Sequence, residues 1–297
     1  ALSVNEKQQL LKDTGALFLT KIGHVALNGT DNIIVSAVVG VLWVGRLSNY
    51  SLICDSITGV LCQITAAITG SLGNFFATEN KQAGYTLFQK IDFLNFWLYG
   101  FSFIALVTLL DPFVQLWAGG RFVLGLPISV AIAINFFVAG YMNTLWVFRS
   151  TLGLFKQGKF RPILVAVLNI VLSIVLGKLW GVFGVLFATF LSRASINLWY
   201  DPIVLHKYGF GVSSKPFFLR YLKRIILLAA VSLAMLAVRS VVLPAKATIL
   251  RFAAMTAITA VVPNAVFWLA YRRCDEYAYF RSVAKDRVIT PIRKKLR

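Results

Sequence analysis

The chain has 297 residues, 58% of them hydrophobic and only 14% charged, with a mean hydropathy of +0.76; its 30 Lys and Arg against 11 Asp and Glu leave a net charge of +19. That apolarity excludes an ordinary soluble domain, and the apolar runs are long enough to cross a bilayer. The positive charge does not point to nucleic acid, because the Lys and Arg lie in short loops and a tail between apolar runs, where membrane topology accounts for them.

The chain opens Ala-Leu-Ser-Val-Asn without an initiator Met. Its first apolar run begins after about a dozen polar residues and carries Lys21, His24 and Asp31 in its middle, which no cleavable signal does. The start reads as cut, with further spans expected upstream. Spans are expected at 15–39, 47–75, 94–117, 124–148, 162–176, 182–204, 217–242 and 249–271, about eight in all.

In the first span Lys21, His24, Asn28, Asp31 and Asn32 share an arc about 100° wide at helical spacing, and the rest of the circumference is Ile, Val, Leu and Ala. A charge facing lipid costs about 2.5–3.5 kcal/mol even on the lenient insertion scale, so the stripe is expected to line a wet or protein-lined cavity. Two readings of Lys21 are open, a cavity cation or a side chain that snorkels to the interface. His24 is either a packing residue or a proton relay.

The second span carries Ser48, Ser51, Asp55, Thr58, Gly59, Cys62, Ala66, Thr69, Gly70 and Gly73 mostly on one side. Small-residue helix packing explains that band, and Asp55 alone argues for cavity lining. Residues 79–92, which carry Lys81 and Lys90 with Phe88, Ile91 and Leu94 at helical spacing, read as a short amphipathic helix on the membrane surface. Asp111-Pro112 and Leu126-Pro127 are expected to mark helix ends around the next hairpin. Gly177 and Gly181, beside Lys178 and Trp180, read as a turn between the fifth and sixth spans. Arg193 and Asp201 fall on one helix face and are a candidate structural pair.

Orientation follows from charge. The loops and adjoining span ends on the side of the N-terminus hold 22 Lys and Arg, those on the opposite side six, and Lys21 and Arg193 remain deeper inside spans. By the positive-inside rule both ends of this segment are cytoplasmic. Cys54, Cys62 and Cys274 lack metal-ligand spacing and read as reduced, buried thiols. His24 in a span and His206 in a loop are the only histidines, and no HExxH, CxxC, Walker loop or GxSxG occurs, so neither an enzyme nor a cofactor or metal site is expected. The sequons Asn28-Gly-Thr30 and Asn49-Tyr-Ser51 lie within or at the edge of spans, where glycosylation does not occur.

Three stretches resemble the polysaccharide or O-antigen-unit flippases of the multidrug/oligosaccharidyl-lipid/polysaccharide exporter superfamily. They are Asn28-Gly-Thr-Asp-Asn-Ile-Ile-Val-Ser36 with Val44-Gly-Arg-Leu-Ser-Asn-Tyr50, then Phe148-Arg-Ser-Thr-Leu-Gly-Leu-Phe-Lys-Gln-Gly-Lys-Phe-Arg-Pro162 continuing to Asn169, Ser173, Gly181 and Gly184, and finally Trp199-Tyr-Asp-Pro-Ile-Val-Leu-His-Lys-Tyr-Gly-Phe210. Ser150 departs from the family, which often has an acid there, and this puts a local ion pair for Arg149 in doubt.

The resemblance implies an all-α polytopic bundle: the second six-helix lobe of a two-lobe exporter over 1–210, then two peripheral helices and a basic cytoplasmic tail over 211–297. It implies alternating-access export of undecaprenyl-diphosphate-linked oligosaccharide from the inner to the outer leaflet of a bacterial plasma membrane, for lipopolysaccharide O-antigen or other surface polysaccharide. The implied partners are that lipid-linked substrate, membrane lipid, the N-terminal lobe, and the polymerase and glycosyltransferases of the same pathway. Lys21 and Arg193 are the candidate cations for the diphosphate, Asp31 and Asp55 the candidates to balance them or carry a coupling cation, and His24, Asn28 and Asn32 the remaining polar lining. A drug or cation antiporter of the same superfamily is the nearest alternative, for which acidic and aromatic lining is expected. A multispan polymerase or ligase would need a larger outward loop or clustered surface acids, and a purely structural subunit leaves the intramembrane charges without a role.

Overall fold

The computed structural model describes residues 29–155, 157–158, 160–243 and 248–285, with 14, 15 and 18 as isolated positions. Among the described residues there is no strand, and six helices are long and apolar enough to cross a membrane. The chain is all-helical and multi-pass. Helix α1 covers 29–39, and its last turn, Val35–Val39, is a π-helix. It is followed by α2 (Val41–Thr69), α3 (Leu72–Thr78), α4 (Lys81–Trp117), α5 (Leu126–Thr151), α6 (Arg161–Val204), α7 (Lys215–Val242), α8 (Ile249–Tyr271) and α9 (Asp275–Ala284).

The starts of these helices are written locally. Asn80 accepts the backbone N–H of Ala83 at 2.8 Å and caps α4. Pro127, Pro162 and Pro216 stand in the first turns of α5, α6 and α7, where a missing N–H costs nothing and φ is already set.

Helix α6 has 44 residues, about 66 Å of helix against a hydrocarbon core of about 30 Å. It resolves the mismatch by folding back at Gly181, whose φ of 60° and ψ of −139° suit glycine alone. Asn169 donates to Thr189 Oγ1 at 3.0 Å across the two arms, and a Cβ on Gly184 would run into the carbonyl oxygen of Leu176. The expected turn at Gly177 to Gly181 is therefore present, and Gly177 faces Val185 of the returning arm.

A second glycine turn, Gly40 with φ 126°, joins α1 to α2. Val39 lies beside Gly181, and Tyr50 Oη accepts the Leu124 N–H at 2.9 Å, so the turns at Gly40, 118–125 and Gly181 gather at one end of the bundle. The other end collects α3, the α5–α6 connection, the π-turn Leu205–Phe210 and α9. There Phe76 packs on Phe148, Tyr85 on His206 and Phe210, and the Lys90 ammonium sits 3.9 Å over the Tyr279 ring.

Four expectations are corrected. Residues 79–92 are not a separate surface helix but the opening turns of α4. At 37 residues α4 is about 55 Å long, so those turns stand clear of the hydrocarbon, and Phe88 and Ile91 are buried in an aromatic cluster with His206, Phe148, Phe210 and Phe217. Pro112 does not end a helix; α4 carries it internally and runs on to Trp117. His206 is fully buried, its Nδ1 2.7 Å from the Pro202 carbonyl, because the chain leaves α6 by a π-turn that keeps the ring inside. Arg193 and Asp201 do not pair. Asp201 binds Arg149 and Arg161, which supplies the ion pair that Ser150 had put in doubt from 52 residues away in sequence.

Helices α7 and α8 lie along α4, and Phe217, Leu228, Met235, Met255 and Phe267 belong to the same buried cluster as Phe96 and Ile104. Arg224 of α7 is 2.5 Å from Asp92 of α4, and Trp97 donates to Asn264 of α8 at 2.8 Å.

Candidate functional site

The hydroxyls of α2 show how a polar band survives on an apolar helix. Ser56, Thr58, Thr65 and Thr69 each donate to the carbonyl four residues back, at 2.7–3.0 Å, so they carry no unmet demand. Asp55 has no such local partner. It turns into an open cavity of about 620 Å³, within the range of small-molecule sites, lined by α1, α2, α4, α5 and the second arm of α6.

Of the residues expected at a site, Asp31, Asn32, Asp55 and Arg193 line this one cavity. Lys21, His24 and Asn28 lie outside the described residues. Counted from the turns at Gly40 and Gly181 at about 1.5 Å per residue, Asp31, Asp55 and Arg193 stand roughly 13, 22 and 18 Å down their helices. Asp55 and Arg193 thus lie well inside helices of spanning length, and all three stand away from the turns at the helix ends.

The α2 band divides. Ser51, Asp55, Thr58 and Cys62 face the cavity, together with Cys54 beside the band, whereas Ala66, Gly70 and Gly73 are exposed and no neighbouring helix packs on the two glycines, so small-residue packing is not what that half does among the described residues. Cys54 is buried, and Cys62 is half-buried with its Sγ 3.9 Å from Tyr99 Oη. Cys274 is half-buried as well.

Polar contacts tie the walls together. Thr189 donates to Asp31 Oδ2 at 2.8 Å and accepts from Asn169 at 3.0 Å, while Asp31 Oδ1 and Asn169 Oδ1 are buried without a hydrogen-bond partner. Arg193 donates to the Asn135 carbonyl at 3.4 Å and lies within electrostatic reach of Asp31. Asn135 Nδ2 in turn donates to the Leu186 carbonyl at 2.8 Å, joining α5 to the α6 hairpin. Gly140 lets the buried Tyr99 ring lie against α5, where a methyl group would overlap the ring. By contrast, Asn32, Asp55 and Asn143 make no hydrogen bond or ion pair among the described residues. The cavity therefore offers one guanidinium, two carboxylates and free amides to an occupant.

Asn135, Asn143 and Thr189 were missed in the sequence. The signal was there: Asn135, Ala139 and Asn143 recur every fourth residue on an apolar helix, as do Asn169 and Ser173, and Thr189 and Arg193. Among the described residues no group of three or more His, Cys, Asp or Glu could hold a metal ion. Comparison with protein-family models, curated proteins and solved structures returns no match.

Proposed function

We propose that this chain is one lobe of an alternating-access exporter that carries polyprenyl-diphosphate-linked oligosaccharide from the cytoplasmic to the outer leaflet of a bacterial plasma membrane. The observation that carries the reading is a cavity between spanning-length helices that gathers Arg193, Asp31 and Asp55 with free amides. Charges among such helices are expensive, and the family resemblance supplies a job for them. Arg193 is assigned to the diphosphate and Asn32, Asn135 and Asn143 to sugar hydroxyls, and Lys21, His24 and Asn28, which lie outside the described residues, are assigned to the same substrate by the sequence pattern alone. Asp31 is assigned to a coupling cation or to balancing Arg193 when the site is empty. The wall formed by α2 leaves Leu52, Val60 and Asp55 exposed, which suits a facing lobe supplied by further chain or by a second copy.

This reading has eight spans with both ends of the segment cytoplasmic. A single cysteine at Arg121 and one at Ser213, in a background without native Cys, should be labelled from opposite sides by an impermeant thiol reagent. Same-side labelling removes the topology. In a strain lacking its own flippase, Arg193→Ala expressed together with the facing lobe should lower surface polysaccharide with protein level unchanged. Unchanged polysaccharide removes Arg193 from the site.

One observation favours a second reading, an exporter of organic cations: two carboxylates, Tyr99 and Phe136 share the lining with a single Arg. That reading expects Asp55→Asn to abolish drug resistance and Arg193→Ala to leave it intact.

A further inference from the structure

The last apolar helix ends in a basic recess separate from the cavity. Helix α8 has 23 residues, about 35 Å of helix, so Arg272 and Arg273, immediately after it, fall at headgroup depth. The chain turns at Cys274 into α9, which is pinned to the start of α4: Tyr277 stacks on Trp97 with ring centroids 6.0 Å apart, and Lys90 caps the Tyr279 ring. This brings Arg281 back over the end of α8. The result is a recess of about 480 Å³ lined by Trp268, Arg272, Arg273, Tyr277 and Arg281.

No carboxylate lines it, although Asp275 and Glu276 are adjacent in sequence. Arg272 lies over the Trp268 ring at 5.3 Å, and Arg273 and Arg281 have no ion-pair or hydrogen-bond partner among the described residues. Three guanidinium groups held together without an acid repel one another until an anion arrives, and their planar forks suit the oxygens of a phosphate. The outer face of α8 beside the recess, with Val261, Trp268 and Leu269 exposed, is apolar and suits an acyl chain.

From this we infer that the recess is a binding site for the phosphodiester headgroup of an anionic phospholipid, with the acyl chains along α8. It is independent of the transport reading and needs only that α8 spans the membrane. The aromatic pair Trp268 and Tyr277 walls the site at the level where such rings gather, and basic recesses at this depth recruit anionic headgroups.

The test uses the full chain, purified in mild detergent and exposed to mixed micelles containing either phosphatidylglycerol or phosphatidylcholine, with bound lipid counted by native mass spectrometry. Wild type should retain phosphatidylglycerol selectively. Arg273→Gln, an exposed side chain with nothing to lose in the fold, should weaken retention about fivefold, and the triple Gln variant at 272, 273 and 281 on the order of 100-fold. Removing the same charge at the other end, with Arg46→Gln, Arg121→Gln and Lys178→Gln together, should leave retention unchanged. Equal retention by wild type and the triple variant, or equal loss in the control, overturns the site. Displacement of the lipid by millimolar inorganic phosphate or pyrophosphate would show a free-anion site and overturn the lipid assignment.

Discussion

The bundle of α4, α5, α6, α7 and α8 and the wall formed by α1 and α2 treat polar groups in opposite ways. In the bundle each buried charge among the described residues has a partner from another helix or, within α6, from its other arm. Asp92 holds Arg224, Asp201 holds Arg149 and Arg161, and Asp111 accepts from Tyr50 at 2.7 Å and Ser129 at 2.6 Å with Arg239 3.9 Å away. On the wall, Asn32 and Asp55 face the cavity without partners, and apolar side chains such as Leu42, Leu52 and Val60 are exposed on the same helix. A low-dielectric interior makes an unpaired charge costly, so the paired groups hold the bundle in register while the unpaired ones remain available to a ligand. Polar residues at membrane depth are thus of two kinds, which side-chain type alone does not separate.

The contrast can be broken most directly at Asp201. Asp201→Asn removes the carboxylate shared by two buried arginines, and the expected loss exceeds the 3–5 kcal/mol typical of one broken buried pair; thermal unfolding in detergent should show little folded protein at ambient temperature. Next in size is the Asp92–Arg224 pair. Arg224→Met alone should cost about 3–5 kcal/mol, whereas Arg224→Met with Asp92→Leu should recover most of it, and a double variant no more stable than the single would show that the pair is not what joins α7 to α4.

Tyr50→Phe should be milder, at about 1–3 kcal/mol. It deletes the hydroxyl that links Asp111 to the Leu124 N–H, and urea titration should resolve the shift in midpoint. Smallest is Asp55→Asn, expected within about 0.5 kcal/mol of wild type because the side chain is exposed to the open cavity and unpaired, while on the proposed function the transport it serves should change. A large stability loss at Asp55 would move it from the ligand class to the structural class and erase the distinction between the two regions.

Much of the bundle was legible because hydrophobic periodicity, prolines and glycines act locally. The turn at Gly181 could be read from Gly177, Lys178 and Trp180, and the starts of α5, α6 and α7 from their prolines. Reading 79–92 as a surface helix failed because amphipathicity shows that one face is apolar but not what covers it, and here the cover is His206 and Phe210 from more than a hundred residues away. Asp111-Pro112 failed for a related reason. A proline breaks an isolated helix, but in a packed bundle neighbouring groups hold the turn together.

The sequence by itself determined that this is a multi-pass helical membrane protein and that one side of its second span is polar, since both follow from transfer free energy and the 100° step of a helix. Only the tertiary structure decided that Asp31, Asn32, Asp55 and Arg193 share one cavity, that Asn135, Asn143 and Thr189 join them, and that Asp201 serves Arg149 and Arg161 instead of Arg193. The physical reason is that a lone charge at membrane depth must be paired or hydrated, and the group that meets this need sits on another helix whose facing residue is set by packing, not by distance along the chain.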